Sequence, residues 1–115
     1  MTRSGEHDDP VALERAAREF HAIARSARAQ AGYLDKHAGK VEPVAQGVSS
    51  IIGGTASGTD KRMIGTLTRA LRDLQDASRR LNESAHAAEQ LAREATARAL
   101  SAREAQAAAQ SARRR

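Results

Sequence analysis

The chain has 115 residues, 40% of them hydrophobic but only 2% aromatic, with one Phe, one Tyr, no Trp and no Cys. Alanine fills 26 positions, so the bulky side chains of an ordinary globular core are scarce, thiol chemistry is excluded, and paired helices are expected rather than a compact globule. The formal net charge is +5, but Arg113, Arg114 and Arg115 supply three of those charges, and elsewhere Arg alternates with Glu or Asp as on a solvated mixed-charge surface.

The opening residues, MTRSGEHDDPVALERAAREF, lack the apolar stretch of a cleavable signal peptide, and nothing in the chain approaches a membrane span. A cytoplasmic protein is expected, exported only by a route that carries helical proteins without that signal. Residues 1–8 read as a disordered N-terminus. Asp9 and Pro10 then mark a helix start: the Asp9 carboxylate can cap first-turn amides, and proline suits the first helical position.

The first predicted helix covers residues 9–52. Leu13, Ala16, Phe20, Ile23, Ala27, Gln30, Leu34, His37, Val41, Val44, Val48 and Ile51 follow alternating spacings of three and four, which is the heptad seam of a coiled coil. Beside it runs a second stripe, Ala17, Ala24, Ala31, Ala38, Ala45 and Ile52. Gly39 and Pro43 predict a kink near residues 39–43, since proline lacks an amide donor and crowds the preceding turn; a complete break, giving three helices, is the competing expectation. The strand-forming residues of VEPVAQGVSSII are too few and too isolated to build a sheet.

Residues 53–60 read as a glycine-rich turn, with Gly53 and Gly54 ending the first helix, Gly58 inside the turn and Thr59 or Asp60 capping the next helix. Gly53 and Gly58 have the glycine spacing of a phosphate-binding loop. That loop needs Lys and then Ser or Thr after the second glycine, where this chain has Thr59 and Asp60, so nucleotide binding is not expected.

The second predicted helix covers residues 61–108, followed by a basic tail at 109–115. Its seam is Ile64, Leu67, Leu71, Leu74, Ser78, Leu81, Ala85, Ala88, Ala92, Ala95, Ala99 and Ala102, and Met63, Ala70, Ala77 and Leu91 form a flanking stripe. Folding the chain at the turn, with Ile51 beside Ile64, sets Phe20 against Ala95, Leu34 against Leu81 and His37 against Ser78. Large residues of the first helix then meet small ones of the second, and two polar residues share a layer. The expected fold is therefore all-α, a two-helix antiparallel hairpin. Its two flanking stripes, Ala17, Ala24, Ala31, Ala38, Ala45 and Ile52 with Met63, Ala70, Ala77 and Leu91, are the expected contacts with other helices. A two-helix unit is marginal alone, and pairing into a four-helix bundle would supply the missing burial.

No reaction is legible. His7, His21, His37 and His86 lack metal-ligand spacing, no catalytic serine or carboxylate pair stands out, and no cofactor is expected. His37 with Ser78 would at most make a pH-responsive layer. A binding protein is expected rather than an enzyme, with a purely structural coiled-coil module as one alternative. Nucleic acid is the other: Lys61, Arg62, Arg69, Arg72, Arg79, Arg80 and the arginine tail could hold phosphates weakly and without sequence preference.

A cysteine-free helical hairpin of about this length, with its turn near the middle, resembles the W-x-G helical-hairpin family of type VII (ESX-type) secretion. The segments IIGGTASGTDKRMIGTLTRAL and LNESAHAAEQLAREA resemble small Ala- and Arg-rich proteins that actinobacteria carry in such loci beside large toxins. The chain lacks the Trp of the family's turn, where Gly53 and Gly54 stand, and its only tyrosine, Tyr33, lies in the first helix rather than in a tail export signal. The resemblance implies a partner role: a hairpin that packs on the helical leader of a larger secreted protein before transport.

Overall fold

A computed structural model describes residues 9–52 and 58–114, with side chains described for residues 9–48 and 61–114. Two α-helices make up the described residues, α1 (Pro10–Ile52) and α2 (Gly58–Arg114), with no strand among them. They pack against each other as an all-α helical hairpin.

The start of α1 follows from its first residues. The Val11 amide donates to Asp9 Oδ1 at 3.1 Å, and the Leu13 amide donates to the Asp9 carbonyl at 3.0 Å. Asp9 therefore caps the helix and Pro10 opens it, so one free amide is satisfied by a side chain and another never exists. Elsewhere α1 shows no break and both ends of α2 move. α1 runs unbroken through Gly39 and Pro43, so the three-helix alternative does not occur. Both residues are exposed, and water can take the carbonyl that Pro43 leaves without a donor. Helix α2 begins at Gly58, within the stretch expected to be turn, and it continues through residues 109–114, expected to be a tail. Alanine, glutamine and arginine in that tail are all strong helix formers, which accounts for the extension. The expected disorder of residues 1–8 and the helix stop at Gly53 and Gly54 lie outside the described residues.

The chain divides into two compact units. Unit 1 joins Met1–Ser26 to Ser84–Arg115, and unit 2 is Ala27–Glu83. In unit 1 the buried positions of α1 are Pro10, Leu13, Ala17 and Ala24, with Phe20 half-buried, and those of α2 are Ala85, Ala88, Ala92, Ala95 and Ala99. Every α2 residue in that seam is alanine, and Ala85 and Ala92 are completely covered, at 0% exposure. Side chains this small let two helix backbones approach to the short end of the usual 8–10 Å range, so the backbones themselves seal the seam.

Unit 2 is built differently. Ala27, Ala31 and Ala38 are buried from α1, with Leu34, Val41, Ala45 and Val48 half-buried, and α2 contributes Ile64, Leu67, Leu71, Leu74 and Leu81, all half-buried, with Ser78 buried among them. The Ser78 hydroxyl donates to the Ala31 carbonyl at 3.3 Å. This bond sets the register of unit 2, and it overturns the expected His37–Ser78 layer: Ser78 lies near the level of Ala31, and His37 is exposed. A serine fits here because its short side chain can share a carbonyl of the facing helix without opening the seam.

The α2 seam matches the sequence reading at every position. The α1 seam does not: Leu13, Phe20, Ala27, Leu34, Val41 and Val48 belong to it as expected, but between them stand Ala17, Ala24, Ala31, Ala38 and Ala45 instead of Ala16, Ile23, Gln30, His37 and Val44. Ile23 and Val44 are 54% and 55% exposed.

Candidate interaction surface

Heptad geometry gives each unit two edges, made by the residues that flank the seam on either side. In unit 1 the residues just after Leu13 and Ala102 are Glu14 and Arg103. They form a bidentate ion pair, with Arg103 Nε 3.0 Å from Glu14 Oε2 and an Arg103 guanidinium nitrogen 2.6 Å from Glu14 Oε1. The hydrogen bond from Arg103 holds the Glu14 carboxyl below its ordinary pKa, with a smaller contribution from the neighbouring charges of Arg103 and Arg18. This edge is polar. The opposite edge carries the residues just before Ala17, Ala24, Ala85, Ala92 and Ala99, which are Ala16, Ile23, Ser84, Leu91 and Arg98; all but Ala16 are exposed, Ile23 and Leu91 among them.

The same contrast holds in unit 2. Asp35 and Glu42 of α1 and Thr68, Gln75 and Asn82 of α2 follow seam positions and make a polar edge. Gln30, His37, Val44, Met63, Ala70 and Ala77 precede seam positions and make the other, with Ala77 half-buried and the rest exposed. Further around α1, Tyr33 and His37 stack as a tilted ring pair with centroids 5.7 Å apart. They line a notch of about 240 Å³ together with Lys36 and Lys40.

The expected contact residues therefore fall into two groups. Met63, Ala70 and Leu91 lie at the surface and remain open to a partner, and Ala77 beside them is half-buried. Ala17, Ala24, Ala31 and Ala38 are buried between α1 and α2, and Ala45 is half-buried there, so this stripe is part of the hairpin's own seam and is closed to other helices. The reason is size. In unit 1, against an α2 seam of alanine, α1 approaches closely through its smallest stripe, which turns Ile23 outward; in unit 2 the same small stripe leaves room for the larger Ile and Leu side chains of the facing seam. Ile52 and Asp60 have side chains outside the described residues, and Gly58 is the first residue of α2. Ile23, His37 and Val44, expected in the seam, are exposed instead, and the Tyr33, Lys36, His37, Lys40 notch has no counterpart among the expected contacts. The notch residues' spacing of three, four and seven along one face was the available signal.

The basic residues Lys61, Arg62, Arg69, Arg72, Arg79 and Arg80 are all exposed, and Arg79 is engaged by Asp76 at 2.9 Å. His86 Nε2 lies 3.3 Å from the Gln90 side-chain amide. Among the described residues, no helix is long and apolar enough to cross a membrane. Comparison with protein-family models, with curated proteins and with solved structures found no match to this chain.

Proposed function

We propose that the hairpin is a non-enzymatic interaction protein that works by packing on other helices, as an adaptor or chaperone-like partner for a larger secreted protein or toxin in a type VII-like system. One observation carries the interaction reading. The accessible surface is 8540 Å² for 12.3 kDa, against about 6,100 Å² for a folded monomer of that mass. Val11, Ile23, Tyr33, Val44, Met63, Leu91 and Leu100 contribute to that surface. The excess of about 2,400 Å² is more than the roughly 800 Å² that each partner gives to a standard protein interface.

The secretion context rests on the resemblance of the hairpin and its composition to the W-x-G family. In that setting the protein acts in the cytoplasm, either remaining there or leaving with its cargo. A helix of the cargo would pack against exposed apolar residues of these edges, Leu91 in unit 1 or Met63 in unit 2, in the helix-in-groove mode. Co-expression with the product of the adjacent gene, followed by size-exclusion chromatography with light scattering, tests this. The expected result is a co-eluting complex lost on Leu91→Asp or Met63→Asp. Separate elution of the two proteins, or a complex indifferent to both substitutions, would overturn it.

A further inference from the structure

We infer that the chain also docks on a second copy of itself, the α1 face of unit 1 in one copy packing antiparallel on the α1 face of unit 2 in the other. The inference rests on the reading that the hairpin works by packing on further helices, and it names one such helix.

The notch in unit 2 has a specific form. Tyr33, Lys36, His37 and Lys40 stand at i, i+3, i+4 and i+7, the four positions that make a hole for a single knob in helix packing. It is lined by the Tyr33–His37 ring pair and two lysines, so the fitting knob is apolar with a carboxylate one turn away. Unit 1 holds that combination. Ile23 is 54% exposed, and Glu19, four residues before it, is exposed on the same face of α1.

Polarity and register agree. With the two helices antiparallel and Ile23 over the centre of the notch, the residue four positions before Ile23 comes level with the far end of the notch. Glu19 then meets Lys40. The like pairing, unit 2 on unit 2, would crowd Lys36 and Lys40 of both copies together, and unit 1 on unit 1 would leave the lysine-lined notch empty. Charge therefore selects the mixed contact. The chain's excess accessible area is enough to supply about 800 Å² to such an interface, the usual share per partner.

Sedimentation equilibrium of the full chain tests the contact. The wild type is expected to dimerise. Ile23→Asp should raise the dimer Kd at least tenfold, and Glu19→Lys and Lys40→Glu should each raise it several-fold. Joining the two charge reversals in one chain should bring Kd back towards the wild-type value. All three positions are exposed, and circular dichroism checks that each variant keeps its helix content. A wild type that stays monomeric, a dimer indifferent to Ile23→Asp, or a double reversal no tighter than the single ones would overturn the inference. If the wild type is monomeric but still binds the co-expressed partner, only the self-contact falls; if it binds neither, both readings fall.

Discussion

Units 1 and 2 solve the same packing problem with opposite materials. Unit 1 sets an all-alanine α2 seam against α1 and buries it almost completely. Unit 2 sets Ile64, Leu67, Leu71, Leu74 and Leu81 against α1 and leaves every one of them half-exposed. Larger apolar side chains thus give a wetter seam. One helix can close over a methyl group, because the backbones meet around it, but a leucine is longer than the gap between two close helices and needs a third neighbour to cover its far side. Unit 1 is close to self-sufficient in its seam, and unit 2 is the half that gains most from a partner.

Enlarging the alanine seam is the most severe way to break this contrast. Ala92→Leu, at a completely covered site, should force the helices of unit 1 apart and cost about 1–3 kcal/mol. Each kcal/mol lowers the thermal midpoint by roughly 4–8 °C for a domain near this size. The same change at exposed Ala70 should stay within about 0.5 kcal/mol. Equal midpoints for the two variants would show that unit 1 is not tightly closed. Trimming the leucine seam comes next: Leu74→Ala should cost about 1–2 kcal/mol, below the 2–5 kcal/mol of a fully buried leucine, because part of its surface is already wet. Urea unfolding would check this, and a loss as large as that of a sealed core site would contradict the half-buried seam.

Ser78→Ala removes the hydroxyl that ties α2 to the Ala31 carbonyl. That carbonyl is mid-helix and accepts its own helical bond, so no orphan is left, and the expected cost is about 0.5–1 kcal/mol. Hydrogen exchange around Ala31 and Ser78 should report faster local opening confined to unit 2. The smallest effect belongs to the polar edge of unit 1. Glu14 has a lowered pKa when folded, mainly through the Arg103 hydrogen bond. Its contribution is therefore present above the ordinary carboxylate range and is lost as pH falls through the folded value. Thermal midpoints of wild type and Glu14→Gln should differ slightly at pH 7 and converge in acid; a gap that widens in acid would show that the pair does not act this way.

The two helices show how far the chain could be read before its structure. The α2 seam was legible because Leu67, Leu71 and Leu74 fix the phase and the alanines continue it at the same spacing. The α1 seam was legible only at alternate positions. From Leu13, Phe20, Leu34 and Val41 the three-four pattern can be completed by the stripe that holds Ile23 and Val44 or by the alanine stripe beside it. Ile23 and Val44 are each larger and more apolar than an alanine and draw the eye to the first, but Gln30 and His37 share their stripe, whereas the second is alanine throughout. The expected contact surface inherited that choice, so its alanine half turned out to be seam, whereas Met63, Ala70 and Leu91, placed relative to the correctly phased helix, are at the surface.

Local chemistry settled what depends on near neighbours. The Asp9 cap, the helix after Pro10, the scarcity of strand formers and the heptad phase of α2 all act within one or two turns, so they could be read from the residues alone. The tertiary structure decided which stripe of α1 faces inward and the register at Ser78. Both depend on how closely a second helix approaches, and that distance is set by side-chain sizes some fifty residues or more away along the chain. An isolated α1 would have every reason to hide Ile23. Only against the alanines of α2 does hiding Ala24 allow the closer fit, and it leaves Ile23 outside for another molecule to meet.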